Sequence, residues 1–110
     1  MIGDKDENGK KHVLQGSKGS SGSHGPIWQK FNIDPNNNGD WNKLLPILKE
    51  IVDKGSEYQR IGVYEHGEKI GYNISYIMQY ADKGVEVIVR LYVNLNGEVW
   101  FSDAWGNFLK

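Results

Sequence analysis

His12 and His24, with Lys11, Lys18 and Lys30 in the same stretch, are the residue types that cut RNA without a metal. One imidazole removes the proton of a ribose 2′-hydroxyl, and that oxygen attacks the adjacent phosphorus. The other imidazole protonates the departing 5′-oxygen. An ordinary imidazole titrates near ~6.5, so a neutral and a protonated ring coexist around neutrality. A lysine, with backbone N–H groups, stabilises the charge gathering on the non-bridging phosphate oxygens. Because the nucleophile is the 2′-hydroxyl, such a site cuts RNA and leaves DNA intact. Ser102, at the end of the last expected strand, offers a hydroxyl that can hold a phosphate or orient a histidine. Trp105 offers a ring on which an unpaired base can stack, or a cap for the core of the sheet. Tyr76 shares a strand face with Tyr72 and Tyr80 and could present its hydroxyl to substrate. The third histidine, His66, falls in the turn Glu65-His66-Gly67-Glu68 and reads as an exposed turn residue.

Other chemistries find less. The chain has no Cys, which removes disulfides, thiol nucleophiles and cysteine-based zinc or haem motifs. No H-E-x-x-H pattern, P-loop or dinucleotide fingerprint occurs, so neither a metal nor a cofactor is called for. A metal-dependent nuclease using His and Asp remains an alternative, as does a non-catalytic module that binds single-stranded nucleic acid or a protein. No apolar run approaches the ~18 residues of a membrane span, and no signal-peptide pattern opens the chain. A membrane anchor is therefore not expected, and export would need a carrier.

At 110 residues the chain suits one domain, with residues 1–10 read as a linker or junction. Its formal charge of −1 selects no partner, but the distribution is uneven. Residues 8–33 carry Lys10, Lys11, Lys18 and Lys30 with no acid, a +4 segment that a polyanion would select. Inside it runs Gly16-Ser17-Lys18-Gly19-Ser20-Ser21-Gly22-Ser23-His24-Gly25, either a plain linker or a mobile loop whose N–H groups and lysine close on a phosphate. Ile27, Trp28, Phe31 and Ile33 then form an apolar anchor. Asp40 reads as the N-cap of a helix of about 15 residues ending before Gly55, with Trp41, Leu44, Leu45, Leu48, Ile51 and Val52 on one face and a bend expected at Pro46. Strands follow at 58–64, 70–80, 85–93 and 98–102, separated by the turn at His66-Gly67, the turn at 81–84 and the hairpin signal Asn96-Gly97. The predicted class is α+β: an N-terminal arm and one long amphipathic helix packed on a four-stranded antiparallel sheet.

Lys11-His12-Val13-Leu14-Gln15-Gly16-Ser17, followed by a glycine-rich loop ending in Ser23-His24-Gly25, resembles the first two histidine motifs of bacterial EndoU-type nucleases. The order of parts over residues 11–105 is similar to C-terminal toxin domains of bacterial polymorphic and contact-dependent growth inhibition systems, in the barnase–EndoU–colicin–RelE group of ribonucleases. The resemblance matches His12 and His24 to the paired histidines and Ser102 to the hydroxyl near the last strand. Trp105 stands where an aromatic, commonly tyrosine, is found, so a phenolic hydroxyl is missing there. The catalytic lysine is left open among Lys18, Lys30 and Lys11. What the resemblance implies is a metal-independent endoribonuclease toxin, monomeric when free. A larger secreted or surface protein would carry it into the cytoplasm of a competitor, and a cognate immunity protein would neutralise it.

Overall fold

Val85, Val87, Val89 and Leu91 alternate with Glu86, Ile88, Arg90 and Tyr92, so one face of this strand is wholly aliphatic and must be covered. A computed structural model describes residues 2–3, 13, 24–34, 36–37 and 40–109. Its sheet has five strands: β1 (Ile2–Gly3), β2 (Ser56–Glu65), β3 (Glu68–Tyr80), β4 (Val85–Asn94) and β5 (Val99–Phe108), in the order β1-β5-β4-β3-β2. β2 to β5 form the expected antiparallel meander, and two residues of β1 add a parallel edge to β5. Two helices lie on the aliphatic face: α1 (His24–Gln29) against β5, and α2 (Trp41–Lys54) against β3 and β4.

α2 holds 14 residues, with Trp41, Leu44, Leu48 and Ile51 buried, Leu45 and Val52 half-buried, and Pro46 exposed within an unbroken helix. These side chains meet Val85, Val87, Val89, Leu91, Phe101 and Ala104 from the sheet and Ile27, Trp28 and Ile33 from the first helical segment. Each fully buried aliphatic or aromatic side chain contributes about 1.5–3 kcal/mol relative to exposure.

Asp40 precedes α2 as expected, but its carboxylate makes no capping bond. Its backbone is itself helical (φ −72°, ψ −7°), whereas a capping side chain needs an extended backbone. The carboxylate turns back instead. Its Oδ2 accepts from the Asp34 N–H at 2.8 Å, and its Oδ1 accepts from Asn37 Nδ2 at 3.3 Å and lies 3.4 Å from Lys43 Nζ. The Asp34 N–H, opposed by desolvation and aided by Lys43, holds the Asp40 carboxyl below the usual carboxylate range. A carboxylate held low in the folded chain stabilises it above the unfolded value, and that contribution fades as pH falls through the folded value. Thermal midpoints are therefore expected to drop below about pH 4, and Asp40→Asn, which keeps the acceptor but not the charge, to flatten that drop.

The turns follow the local signals. His66 (φ 52°) and Gly67 (φ 81°) form a two-residue turn between β2 and β3, and the His66 side chain is exposed. After β4 the chain turns through a four-residue loop, Leu95 to Glu98, in which Gly97 alone adopts a positive φ. There the Asn94 Oδ1 accepts from the N–H groups of Asn96 and Glu98.

Besides the added parallel strand β1, which lies in residues read as a linker, two elements differ from expectation. β5 continues six residues beyond Ser102 to Phe108, so Ser102 lies inside the strand and not at its end. Ala104 and Gly106 have low strand propensity, yet tertiary packing requires their small size. A Cβ on Gly106 would stand 2.6 Å from Ile27 Cγ2 and 2.8 Å from the Glu86 carbonyl oxygen. The apolar anchor also forms a helix, α1, with Ile27 and Trp28 completely buried.

Candidate nucleic-acid interface

Residues alternating with the aliphatic row face away from both helices. On β4 these are Glu86, Ile88, Arg90 and Tyr92, and on β5 Trp100, Trp105 and Asn107 pair with members of that row. Phe101 and Ala104 both join the core although three residues apart, because a register shift opposite Arg90 and Leu91 inserts one extra residue. A bulge of this kind re-aims side chains, and here it sets Ser102 and Asp103 together on the face opposite the helices. Asp103 pairs in register with Arg90, and its Oδ1 accepts from the Ala104 N–H at 2.8 Å. No helix covers this open face among the described residues.

Tyr92, Trp100 and Trp105 lie on it half-buried, beside the buried Ile88 and Ser75. The Arg90 guanidinium lies 4.9 Å from the Trp105 ring centroid, a cation–π pair. Tyr92 and Trp100 stack with centroids 6.2 Å apart and planes at 23°. Both rings lie across glycines of neighbouring strands. A Cβ on Gly3 would collide with the Trp100 ring, and one on Gly71 would meet the Tyr92 hydroxyl at 2.9 Å and collide with the Val93 carbonyl oxygen. The Tyr92 hydroxyl donates to the Ile70 carbonyl at 3.1 Å, which fixes the ring over β3. The Val93 oxygen is backbone and cannot swing aside. Gly71→Val is expected to cost about 1–3 kcal/mol in chemical unfolding and to disturb the Tyr92–Trp100 stack, read from near-ultraviolet circular dichroism.

The sequence-predicted residues divide between two faces. Ser102 and Trp105 share the open face, within reach of Arg90 and Asp103 along β4 and β5. Tyr76 pairs with Val89 and packs half-buried against the core on the helix side. Lys30, exposed just after α1, places its Nζ 6.0 Å from the Phe108 ring centroid on that same side. Thus Tyr76 and Lys30 are not brought to Trp105. His12, Lys11 and Lys18 lie outside the described residues; His24 opens α1, and its side chain is not described. Asp103 falls in the run Ser102-Asp103-Ala104-Trp105 that the sequence marks as able to react, whereas Arg90, Tyr92 and Trp100 were not singled out from sequence. The signal was present in the second row of β4, where a cation and an aromatic alternate with valines.

The helix side holds a second polar cluster. The Tyr80 hydroxyl donates to Glu50 Oε1 at 3.1 Å, and its ring meets Phe31 edge-on at 5.0 Å. Burial, then the Glu50 hydrogen bond, pushes the Tyr80 phenol well above its ordinary value, so it stays a neutral donor. Nearby, the Trp28 indole N–H donates to the Val13 carbonyl at 2.8 Å in a buried bond spanning 15 residues. Trp28 stands four residues after His24, one helical turn along α1.

Among the described residues no group of three or more metal-ligating side chains occurs, and no helix is long and apolar enough to cross a membrane. Compared with protein-family models, curated proteins and solved structures, the chain matches none of them.

Proposed function

We propose that this domain binds single-stranded RNA on the open face of its sheet and cleaves it without a metal, with His12 and His24 as the proton-transferring pair. The buried Trp28–Val13 hydrogen bond carries the reading. It holds Val13, the residue after His12, against the helix that His24 opens. Trp105 and Gly106 are consecutive on β5: one faces the open side and the other seats Ile27 of α1. RNA stacked on Trp105 lies on the face of the sheet opposite α1 and would reach His24 round the edge of β5, which β1 covers only at Val99 and Trp100. Base–aromatic stacking contributes about 1–3 kcal/mol per base, enough for Trp105 and the Tyr92–Trp100 pair to hold unpaired nucleotides.

In the reaction one histidine takes the 2′-hydroxyl proton as the oxygen bonds to phosphorus. The other gives its proton to the 5′-oxygen as the P–O bond breaks, leaving a 2′,3′-cyclic phosphate and a 5′-hydroxyl. Lys18, Lys30 or Lys11 supplies positive charge to the phosphate, and Ser102 a hydroxyl. By resemblance, the biological role is that of a toxin domain delivered by a larger protein and blocked by an immunity protein. Labelled RNA incubated with the purified chain in excess EDTA tests the chemistry. Cleavage is expected, and cleavage that appears only when a divalent metal is restored contradicts it. The open face by itself favours a second reading, a non-catalytic module for single-stranded nucleic acid, and binding without cleavage in that assay would select it.

A further inference from the structure

β2 is an edge strand of ten residues that pairs only with β3 among the described residues. A strand so placed presents a row of backbone donors and acceptors to any second strand. Three of the five exposed large hydrophobic residues described lie on it: Tyr58 at 56%, Ile61 at 51% and Tyr64 at 64% exposure. α2 packs on β3 and β4, which leaves the flank beside β2 clear of the helix. Tyr58 is the extra residue of a bulge, and beyond it Gln59 to Glu65 run on without an extra residue in β2.

We infer that this edge pairs with β2 of a second copy of the chain, antiparallel about a two-fold axis through Gly62, joining the two sheets into one. The inference is independent of the proposed ribonuclease activity and revises the expectation of a monomer. Directly opposed residues in an antiparallel pair are either both hydrogen-bonded or both not, so only registers that match residues of like parity are allowed. Three such registers use most of the strand. With Ile61 on the axis, only Gln59 to Val63 of the bulge-free run would pair, and Tyr64 would fall opposite the bulged Tyr58. With Val63 on the axis, Ile61 would face Glu65 and Arg60 would face His66. With Gly62 on the axis, Arg60 faces Tyr64, Ile61 faces Val63 and Gln59 faces Glu65, each contact made twice. Cation meets aromatic, apolar meets apolar, and no like charges oppose each other. The two glycines at the axis add no side-chain bulk where the strands meet.

Sedimentation of the purified chain over a micromolar concentration series tests this. A reversible monomer–dimer equilibrium is expected. Gly62→Glu sets two carboxylates face to face across the axis and should weaken association at least about tenfold. Gly62→Lys should do the same, and mixing the two variants should restore the dimer. The nearest obstacle to a new side chain is the exposed Tyr64 ring, 3.0 Å from the Cβ position, which can move. If circular dichroism shows either variant unfolded, Ile61→Lys, at an exposed position, decides in its place and should yield a monomer. A wild-type chain that stays monomeric, a Gly62→Glu variant that dimerises as before, or a mixture that fails to recover would each overturn the inference.

Discussion

Replacing either His12 or His24 by alanine is expected to slow RNA cleavage about 10²- to 10⁴-fold, the range associated with losing one proton-transfer group. The losses should not add. A pair that passes protons at the two ends of one reaction acts as a unit, so the double variant should resemble the slower single variant. RNA affinity should change little, because the proposed contacts to the bases lie on Trp105, Arg90, Tyr92 and Trp100. That division separates catalysis from binding: a lower kcat with an unchanged KM is the expected pattern. Full activity in the double variant would remove both histidines from the mechanism.

The second large effect belongs to Trp28. Its side chain is completely buried between α1 and the sheet, and its N–H satisfies the Val13 carbonyl. Trp28→Ala should cost about 3–5 kcal/mol, a large share of the roughly 5–15 kcal/mol of an ordinary domain, as read by urea denaturation. Trp28→Phe is the more informative change. It keeps most of the apolar volume but removes the indole donor to the Val13 carbonyl, a loss of about 1–3 kcal/mol. If the indole bond anchors the segment between the histidines, the phenylalanine variant should stay folded yet lose much of its cleavage, with RNA binding retained. Equal activity in the folded Trp28→Phe variant would show that the bond serves stability alone.

Much of the architecture can be read from local pattern. The alternation of valines in β4, the apolar stripe of α2 and the left-handed pair His66-Gly67 each name their element, because a period or a turn conformation follows from neighbours in the chain. What escaped depends on distant partners. The tail of β5 reads as irregular because Ala104 and Gly106 are small, and their smallness makes sense only once Ile27 of α1 is seen to occupy the space. Asp40 looks like a cap, but its partner is Asp34 and not the helix N–H groups. The open face was the least legible part. Trp105 and Ser102 were identifiable by type, whereas their association with Arg90 and Asp103 depends on a bulge that shifts the register by one residue. Tyr76 shows the converse: its strand and face were legible, but that face is the one the helices cover.

Two RNA oligonucleotides of one sequence, the second with 2′-deoxyribose at the observed cleavage position, give the most direct trial of metal-free cleavage by a 2′-hydroxyl. The all-ribose strand should be cut to fragments carrying a 2′,3′-cyclic phosphate and a 5′-hydroxyl, identified by mass, while the substituted linkage stays intact. Scission at the deoxy position, or fragments ending in a 5′-phosphate, would contradict it.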